Sequence, residues 1–585
     1  MKKITILMMT VCLCATTAIF ATDGTWNVET AGDWSVVGNW TASTPADGAG
    51  SKAYFNNNFS GDWVGAPRAV NVDSARTIGE IYFGSAGFYW NYWSLTTSTI
   101  TLDNSGSQPI ISVNGIWASM IDSLAGTAGF NKTGADDLRL YAEQSISGPV
   151  TISAGTLGAY GNTALKNVDV DVNGGRLTIG GNVSASLNSL TVTTGNGDIG
   201  LIKPEAGQSA TLNTPFTTSY ADGGNTFVVN VDANSAITLN GNVTMNANTA
   251  FAISGNNGIL NINAPISGAH SLRLMGRAGS ADIGTYNINA ACTYTGWTTL
   301  EAWGANPRYE IGVDQAFPAG GATTEFSLQV DNSSADTSVT LDLNDYSQTV
   351  NILWLKPDGA QSGHYVELTG NAGSVLTVNE KLNLGVHGNG AHAKITGGKV
   401  IVPATAGNTW LNSPVILTNA TLVFNAPAYG AASTVIEVQE GGVVEGLYYS
   451  SLTVKDGGKV SPGNSIGTLA AAGDVIMEDG SEYDWEVGTA SADLLNIAGD
   501  LDISAGGITV NVIDAGSPDG SALTLFTVSG TITGAGTDIT MNYGAGVAGP
   551  ANPTISGGVI SAAVIPEPGI IGLLSLLGLA ILRRK

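Results

Sequence analysis

The chain consists largely of short segments in which apolar and polar residues alternate, each ending in Gly, Asn or Asp. Examples are Val168-Asp-Val-Asp-Val172, Ile237-Thr-Leu-Asn240 and Val339-Thr-Leu-Asp-Leu343. Such period-two alternation between turn residues is typical of β-strands with one buried face. Between the two termini, no stretch of about twelve residues or more has helical periodicity. The sequence therefore predicts an all-β protein.

The length of this pattern favours a solenoid over a sandwich. Sandwich domains usually contain about 100–200 residues, and no Pro- or Ser-rich linker divides the 585 residues into units of that size. A solenoid has no such limit, because each coil packs only on its neighbours. We therefore expect a solenoid.

Weak internal repeats carry a family resemblance. One copy runs from Gly129-Phe-Asn-Lys-Thr-Gly134 to Gly155-Thr-Leu157, and a partial copy contains Tyr294-Thr-Gly296. These residues resemble the autotransporter-associated β-strand repeat, although Asp136-Asp137 replaces its usual Gly-Thr step. Residues 452–503 resemble the last coils of autotransporter passenger domains. The resemblance implies a right-handed parallel β-helix. We expect no outer-membrane barrel after these coils, and therefore no self-translocation.

Aromatic residues are concentrated near the N-terminus. Half of the twelve tryptophans lie before residue 100, at Trp26, Trp34, Trp40, Trp63, Trp90 and Trp93. They can cap the open end of a β-helix, whose exposed strand edges would invite aggregation, or they can stack on sugar rings. We favour an aromatic-rich N-terminal β cap over residues 22–105, before a β-helix over residues 106–563. The candidate sugar-stacking residues are Trp90, Tyr92 and Trp93.

Both termini contain sorting signals. Residues 1–21 have a basic start, an apolar run and small residues before Thr22, as in a secretory signal peptide read by the Sec translocase. Residues 564–585 contain a Pro-Glu-Pro element, an apolar run shorter than the roughly 20 residues of a relaxed bilayer span, and a basic end. The candidate sorting residues are Pro566, Glu567, Pro568, Arg583, Arg584 and Lys585.

This C-terminal arrangement resembles the PEP-CTERM sorting signal of exported bacterial surface proteins. The resemblance implies processing by an exosortase-type enzyme, after transient tethering of the C-terminal segment in the inner membrane. An ordinary tail anchor is the alternative interpretation.

The charge balance limits the partners. The chain has 47 Asp and Glu against 22 Lys and Arg, a formal net charge of −25. Such a surface repels nucleic acid and anionic lipid. We therefore expect no nucleic-acid partner, and an extracellular polysaccharide is the partner class that a polar, Asn- and Thr-rich surface favours.

The acidic residues are mostly scattered. The densest groups are Asp136-Asp137 and the set Asp336, Asp342 and Asp345. Asp342 and Asn344 would point the same way from a strand and could bind Ca²⁺ weakly, although a solvated face is the simpler interpretation. A lyase needs clustered carboxylates and a basic residue, and a hydrolase needs paired acids. We therefore expect no catalytic activity and no cofactor.

The predicted function is that of an exported structural or adhesive β-helix, located at the cell surface or in the extracellular matrix. The alternative is a polysaccharide-degrading or glycan-binding β-helix. An enzyme of that kind should have a cluster of acidic and basic residues on one strand face across three adjacent coils, which would distinguish the two.

Overall fold

The computed structural model describes residues 21–566, except 29–30, 57–66, 85–91, 117, 181–182, 195–201, 223–226, 278–283, 322, 331–336, 358–362, 385–390, 404–408, 412, 426–427, 431–433, 447–449 and 464. These residues fall into two compact units. The first extends to Leu177 and includes Ala185–Ser189, and the second contains Thr178–Ser184 and the residues from Leu190 onward. Within the described ranges the only helices are the short 3-10 turns Val37–Asn39, Thr41–Ser43 and Gly536–Asp538.

The first unit is built from three parallel sheets, which we name A, B and C. Sheet A contains Gly24–Thr25, Lys52–Phe55, Glu80–Gly84, Ile110–Asn114, Phe130–Thr133, Val150–Ile152 and Asp169–Asn173. Sheet B contains Gly32–Asp33, Pro67–Val72, Tyr92–Thr97, Ala118–Ile121, Asp137–Leu140 and Thr156–Ala159. Sheet C contains Arg76–Ile78, Ile100–Leu102, Leu124–Gly126 and Ser145–Ile146.

The chain visits these sheets in rotation, which makes the unit a solenoid. Lys52–Phe55 in sheet A is followed by Pro67–Val72 in sheet B and Arg76–Ile78 in sheet C. The chain then returns to sheet A at Glu80–Gly84, where Lys52 lies beside Glu80 in parallel register. The predicted parallel β-helix is therefore confirmed in this unit.

The second unit has the same construction, with sheets that we name D, E, F and G. Sheet D contains Ser189–Thr194, Phe216–Thr218, Val243–Met245 and Ile266–Gly268. Sheet E contains Ile202–Pro204, Val229–Val231, Thr249–Ile253, Leu272–Arg277, Thr298–Trp303, Glu325–Val330, Ser347–Pro357, Val375–Leu384, Lys399–Val402, Thr409–Leu411, Thr421–Phe424, Ala428–Gly430, Val443–Gly446, Lys459–Ser461, Glu482–Gly488, Ile508–Gly516 and Ile539–Tyr543. Sheet F contains Ser209–Leu212, Ala236–Leu239, Ile259–Ile262, Thr285–Ile288, Arg308–Ile311, Ser338–Asp342, Tyr365–Thr369, His392–Thr396, Val415–Thr418, Val435–Val438, Ser451–Val454, Val475–Met477, Leu501–Asp502 and Ile532–Thr533.

The boundary between the units falls within Ser189–Thr194 and within two further strands, Arg176–Ile179 and Ser184–Ala185. Sheet G closes the C-terminal end of the second unit. It contains Thr468–Ala471, Leu494–Ile497, Ala522–Val528, Thr554–Ser556 and Val559–Ala563. Val559–Ala563 runs antiparallel to Ala522–Val528, and Ile565–Pro566 runs antiparallel to Val547–Ala548. The parallel stack therefore ends in antiparallel strands that cover part of its edge.

Inward-facing side chains stack on their counterparts in the next coil. In sheet F, Tyr286 lies beside Tyr309, their ring centroids are 4.8 Å apart and both rings are fully buried. Tyr286 Oη donates a hydrogen bond to the carbonyl of Met275 at 2.7 Å, and Tyr309 Oη donates to that of Leu274 at 2.7 Å. These two tyrosines fill the interior and also join sheet F to sheet E.

Asparagines form a ladder along the outside of the second unit. Asn240 donates its Nδ2 hydrogen to Asn213 Oδ1 at 2.9 Å, Asn263 donates to Asn240 at 3.0 Å, and Asn289 donates to Asn263 at 2.9 Å. An amide side chain suits this position because it carries both a donor and an acceptor. The ladder explains why Asn follows so many strands.

The N-terminal aromatic residues form a buried cluster, as a cap requires. Trp26 and Trp40 meet edge to face with ring centroids 5.2 Å apart, and Phe55 packs against Trp34 at 5.5 Å. Each of these four side chains is at most 2% exposed. The predicted aromatic N-terminal cap is therefore present, with Trp63 and Trp90 outside the described residues.

Lys132 has its ammonium group inside the solenoid. The residue is 0% exposed, and Nζ donates to the carbonyl oxygens of Thr133 at 2.9 Å, Gly134 at 3.0 Å and Ala154 at 3.1 Å. Burial lowers the pKa of Lys132 to about 8, so the group is mostly charged at pH 7. The Lys132 side chain thus donates hydrogen bonds to carbonyl groups in the turns of two adjacent coils.

The two glycines of the first repeat copy are required beside Lys132. Gly134 has φ +77° and Gly155 has φ +62°, values that L-residues with a side chain rarely adopt. A Cβ atom on Gly134 would lie 2.2 Å from the Val113 carbonyl oxygen, and one on Gly155 would lie 2.5 Å from that of Asp136. The Lys-x-Gly and Gly-Thr-Leu elements therefore belong to one packed corner of the coil.

We predict that Lys132→Met destabilises the first unit by about 2 kcal/mol, because buried carbonyl groups lose their donor. The matched control is Lys166→Met, since Lys166 is exposed. The measurement is the urea unfolding midpoint followed by circular dichroism. Equal midpoints for the two variants would show that the three hydrogen bonds do not stabilise the fold.

Asp493 connects a turn to a strand in the second unit. Its Oδ1 accepts the Gly467 N–H at 2.7 Å and its Oδ2 accepts the Glu486 N–H at 3.0 Å, while the residue is 1% exposed. Burial raises the pKa of Asp493 to about 7 from an ordinary value of 3.8, despite these two donors. The carboxyl group therefore binds its proton more tightly in the folded chain than in the unfolded chain.

This pKa shift predicts that protonated Asp493 stabilises the folded chain. The stabilisation is complete below about pH 4 and is lost as the pH rises to about 7. The effect should be on the order of a few kcal/mol. Urea unfolding midpoints measured from pH 4.5 to 8 should fall for the wild type and show a weaker slope for Asp493→Asn. Parallel profiles for the two proteins would contradict the assignment.

Candidate functional site

A surface cleft of about 410 Å³ lies on the outer face of sheet B in the first unit. Three adjacent strands contribute to it, Tyr92–Thr97, Ala118–Ile121 and Asp137–Leu140. We call it the tyrosine cleft, and the residues that line it are Tyr92, Ala118, Met120, Asp122, Arg139 and Tyr141.

Strand register explains why these residues meet. Tyr92 lies beside Ala118 in the next coil, and Met120 lies beside Arg139 in the coil after that. Alternate residues of a strand point to the same side, so Ala118, Met120 and Asp122 all face outward. The small Ala118 and the unbranched Met120 form a low floor between the larger side chains on either side.

A buried glutamine fixes the turns at one end of the cleft. Gln144 is 4% exposed, and its Nε2 donates to the carbonyl oxygens of Asp122 at 3.1 Å and Ala142 at 2.7 Å. Its Oε1 accepts the Leu124 N–H at 2.6 Å. Gln144 therefore holds together the two turns that carry Asp122 and Tyr141.

Arg139 is held between aromatic and acidic neighbours. Its guanidinium carbon lies 5.1 Å from the centroid of the Tyr160 ring, and its Nη2 lies 3.8 Å from an Asp137 carboxylate oxygen. Burial lowers the pKa of Arg139, but Tyr160, Tyr141 and Asp137 together raise it above its usual value. The cleft wall therefore carries a positive charge, and Tyr160 and Asp137 hold the guanidinium group in one position.

The Tyr160 ring lies over Gly158. A Cβ atom on Gly158 would be 2.4 Å from Tyr160 Cε2, so only glycine leaves room for the ring there. Tyr160 also stacks on Tyr141, with ring centroids 5.0 Å apart and an interplanar angle of 27°. The result is a supported aromatic wall, of which Tyr141 remains 40% exposed.

The structure separates the three residues predicted to stack on sugars. Trp90 lies outside the described residues, and Tyr92 lines the cleft. Trp93 is 1% exposed and packs 5.4 Å from the Phe55 ring centroid. The prediction that Trp93 stacks on sugars is wrong. Adjacent residues of a strand point to opposite faces, so Trp93 points into the core while Tyr92 points outward.

The sequence did not predict the other residues of the cleft. Met120, Asp122, Arg139 and Tyr141 come from two different coils, and no local motif connects them. The alternation Asp137-Leu-Arg-Leu-Tyr141 was a usable signal, because it puts three polar or aromatic side chains on one outward face.

Members of the densest acidic groups have structural partners, and Asp336 lies outside the described residues. Asp136 Oδ2 accepts the Ile116 N–H at 3.2 Å. Asp342 is 8% exposed, pairs with Arg308 and accepts the Asn344 N–H at 2.8 Å. The strand ends at Asp342 and Asn344 lies in the following turn with φ +50°. The expectation that these two side chains alternate along one strand is therefore wrong.

The sorting residues lie at the limit of the described chain. Pro566 belongs to the short strand Ile565–Pro566, and Glu567, Pro568, Arg583, Arg584 and Lys585 lie outside the described residues. Over the residues that are described, no helix has the length and apolar character needed to span a membrane.

Clusters of acidic and basic residues occur in the second unit and were not predicted. One joins Lys459 Nζ to carboxylate oxygens of Glu482 at 3.1 Å and Asp484 at 3.2 Å, and another surrounds Arg273. Arg273 Nε donates to Glu301 at 2.6 Å, and Arg273 Nη1 lies 3.3 Å from an Asp222 carboxylate oxygen. Glu301 is only 4% exposed. Desolvation lowers the pKa of Arg273, but its two acidic partners raise it overall. Within the described part of the chain, no group of three or more His, Cys, Asp or Glu residues could hold a metal ion.

Comparison with known proteins points to the same architecture. The adhesin BmaC autotransporter of Brucella suis biovar 1 (strain 1330) is 28% identical to this chain over 180 residues, which are 30% of this chain and 5% of that protein. The matched region thus represents a small part of the relative's length. No protein-family model matches the chain. The parallel solenoid and this similarity support an autotransporter passenger-like β-helix.

Proposed function

We propose that this chain is an exported β-helix protein with an adhesive and structural role at the cell surface or in the extracellular matrix. The observation that carries the proposal is a parallel solenoid with sequence similarity to an adhesin autotransporter. The role is non-enzymatic: the fold presents an extended set of polar side chains, and weak contacts repeated along it add up through multivalency.

An extracellular polysaccharide is the proposed partner. Outward ladders such as Thr191, Thr217 and Thr244 present hydroxyl groups in register on neighbouring coils. The net charge of −25 disfavours polyanionic partners. A polar surface of this kind suits an uncharged, hydroxyl-rich polymer.

The proposed route uses both terminal signals. The Sec translocase reads residues 1–21, residues 564–585 tether the chain transiently in the inner membrane, and an exosortase-type enzyme then processes the C-terminal signal. Pro566 is paired with Val547 in the last described strand. Cleavage beyond Pro566 leaves the C-terminal strands of the solenoid intact.

The catalytic alternative rests on the Asp222, Arg273 and Glu301 cluster, which brings acidic and basic groups together on the outer face of sheet E. Both carboxylates are engaged by the same guanidinium group, an arrangement typical of a buried ion-pair network. A hydrolase needs one carboxyl group that can give up a proton at the bond to be cleaved. The adhesive function therefore fits this cluster better.

We predict that native cells carry the protein on their surface or release it into the matrix, as a product that begins near Thr22 and ends near Pro566. The measurement is intact mass in the inner-membrane, outer-envelope and medium fractions. A strain lacking the protein should attach less to polysaccharide-coated surfaces. Full-length protein retained in the inner membrane would contradict the proposal.

We also predict that the purified protein releases no reducing ends or unsaturated products from neutral or acidic polysaccharides. Glu301→Gln serves as the paired variant. Release of product by the wild type that is lost in Glu301→Gln would instead support the catalytic alternative.

A further inference from the structure

We propose that the tyrosine cleft binds an uncharged saccharide unit of an extracellular polysaccharide. This inference rests on the proposed function and gives it a specific site and ligand class. Four observations carry it: the size of the cleft, its supported aromatic wall, its apolar floor and its balanced charges.

The size of the cleft fits a short stretch of a glycan chain. Its volume of about 410 Å³ falls within the range of roughly 300–1,000 Å³ that is typical of small-ligand sites. Tyr92 lies two coils from Asp137 in register, about 10 Å across the sheet, and Tyr141 lies four residues beyond Asp137, about 13 Å along the strand direction. The two backbones are therefore about 16 Å apart, and a short stretch of a glycan chain can lie between the two tyrosines, over Ala118 and Met120.

The aromatic wall offers a surface for a pyranose ring. The C–H groups on one face of a pyranose carry partial positive charge, and they pack favourably on the negative face of an aromatic ring. Tyr141 is 40% exposed, while Tyr160 supports it from behind at 5.0 Å. The ring is thus held in place before a ligand arrives, which lowers the entropy cost of binding.

Polar groups stand beside the apolar surfaces. Asp122 supplies carboxylate acceptors and Arg139 supplies directed donors, both at the rim of the same cleft. Sugar hydroxyl groups can donate hydrogen bonds to Asp122 and accept hydrogen bonds from Arg139. An arrangement of apolar floor, aromatic wall and few oriented polar groups is what recognition of a sugar requires.

The charges favour an uncharged ligand. The positive charge of Arg139 is balanced by Asp122 in the lining and by Asp137 at 3.8 Å. The chain as a whole carries a net charge of −25, which repels a polyanion before contact. A uronic acid polymer is therefore disfavoured relative to a neutral glycan.

Calorimetric titration of the full chain tests this assignment. The probes are cellohexaose, xylohexaose and mannohexaose as neutral glycans, hexagalacturonate as a charged glycan, and a polyproline peptide as a protein-like ligand. We expect at least one neutral glycan to bind, and Tyr141→Ala to weaken that binding at least tenfold. Tyr141→Phe, which keeps the ring, should retain it.

A matched aromatic control comes from the second unit. Trp297 is 55% exposed and is not part of the cleft, so Trp297→Ala should change the dissociation constant by less than twofold. Gly158→Ala should weaken binding, because the added methyl group displaces Tyr160 from behind Tyr141. Urea unfolding of each variant checks that the fold is retained.

Several results would overturn the proposal. These are the absence of binding by every neutral glycan, tighter binding of hexagalacturonate or polyproline, and unchanged binding by a folded Tyr141→Ala variant. Surface display is measured separately in cells that produce the wild-type protein. Normal display of a wild-type protein that binds no neutral glycan would refute only the cleft, whereas its retention in the inner membrane would refute the proposed function itself.

Discussion

The parallel hydrogen-bonded ladder between coils is the constraint on which the rest of the structure depends. Because each strand pairs with the equivalent strand of the next coil, a residue type that suits one coil lies beside its counterpart in the following one. The buried Tyr286–Tyr309 stack and the asparagine ladder are products of this register. A ladder of this kind leaves open edges where it ends, which explains the buried tryptophans at the start of the first unit and the antiparallel strands at the end of the second.

The fold was predictable from sequence because period-two alternation reports directly on which side of a strand is buried. Lys132, Gly134 and Gly155 were also recognisable, since a packed coil corner restricts those positions to few residue types. The cleft was not predictable in the same way. Tyr92 and Tyr141 lie 49 positions apart in the sequence, and they approach only because of the length of the intervening coils, which alternation does not reveal. Trp93 was misassigned because a run of aromatic residues obscured the alternation within it.

Charges in this protein are few, and the buried ones are matched individually. Only 12% of residues are charged. The Lys132 ammonium group is surrounded by carbonyl oxygens, and Arg273 by two acidic side chains. Burying a charge without such partners is costly. These pairings show why a cluster of acidic and basic residues in a β-helix is not by itself a catalytic site.

The asparagine ladder also contains a position at which the protein can degrade chemically. Asn240, which donates to Asn213 and accepts from Asn263, is followed directly by Gly241, and Asn-Gly is the dipeptide in which asparagine loses its amide most readily. Conversion of Asn240 to aspartate would replace the donor of one rung with a negative charge. Evolution cannot slow this reaction by enlarging Gly241, because a Cβ atom there would lie 2.1 Å from the Thr214 carbonyl carbon. The close packing that aligns the rungs thus retains the amide that is lost most readily, and a long-lived copy of this protein would age from that point.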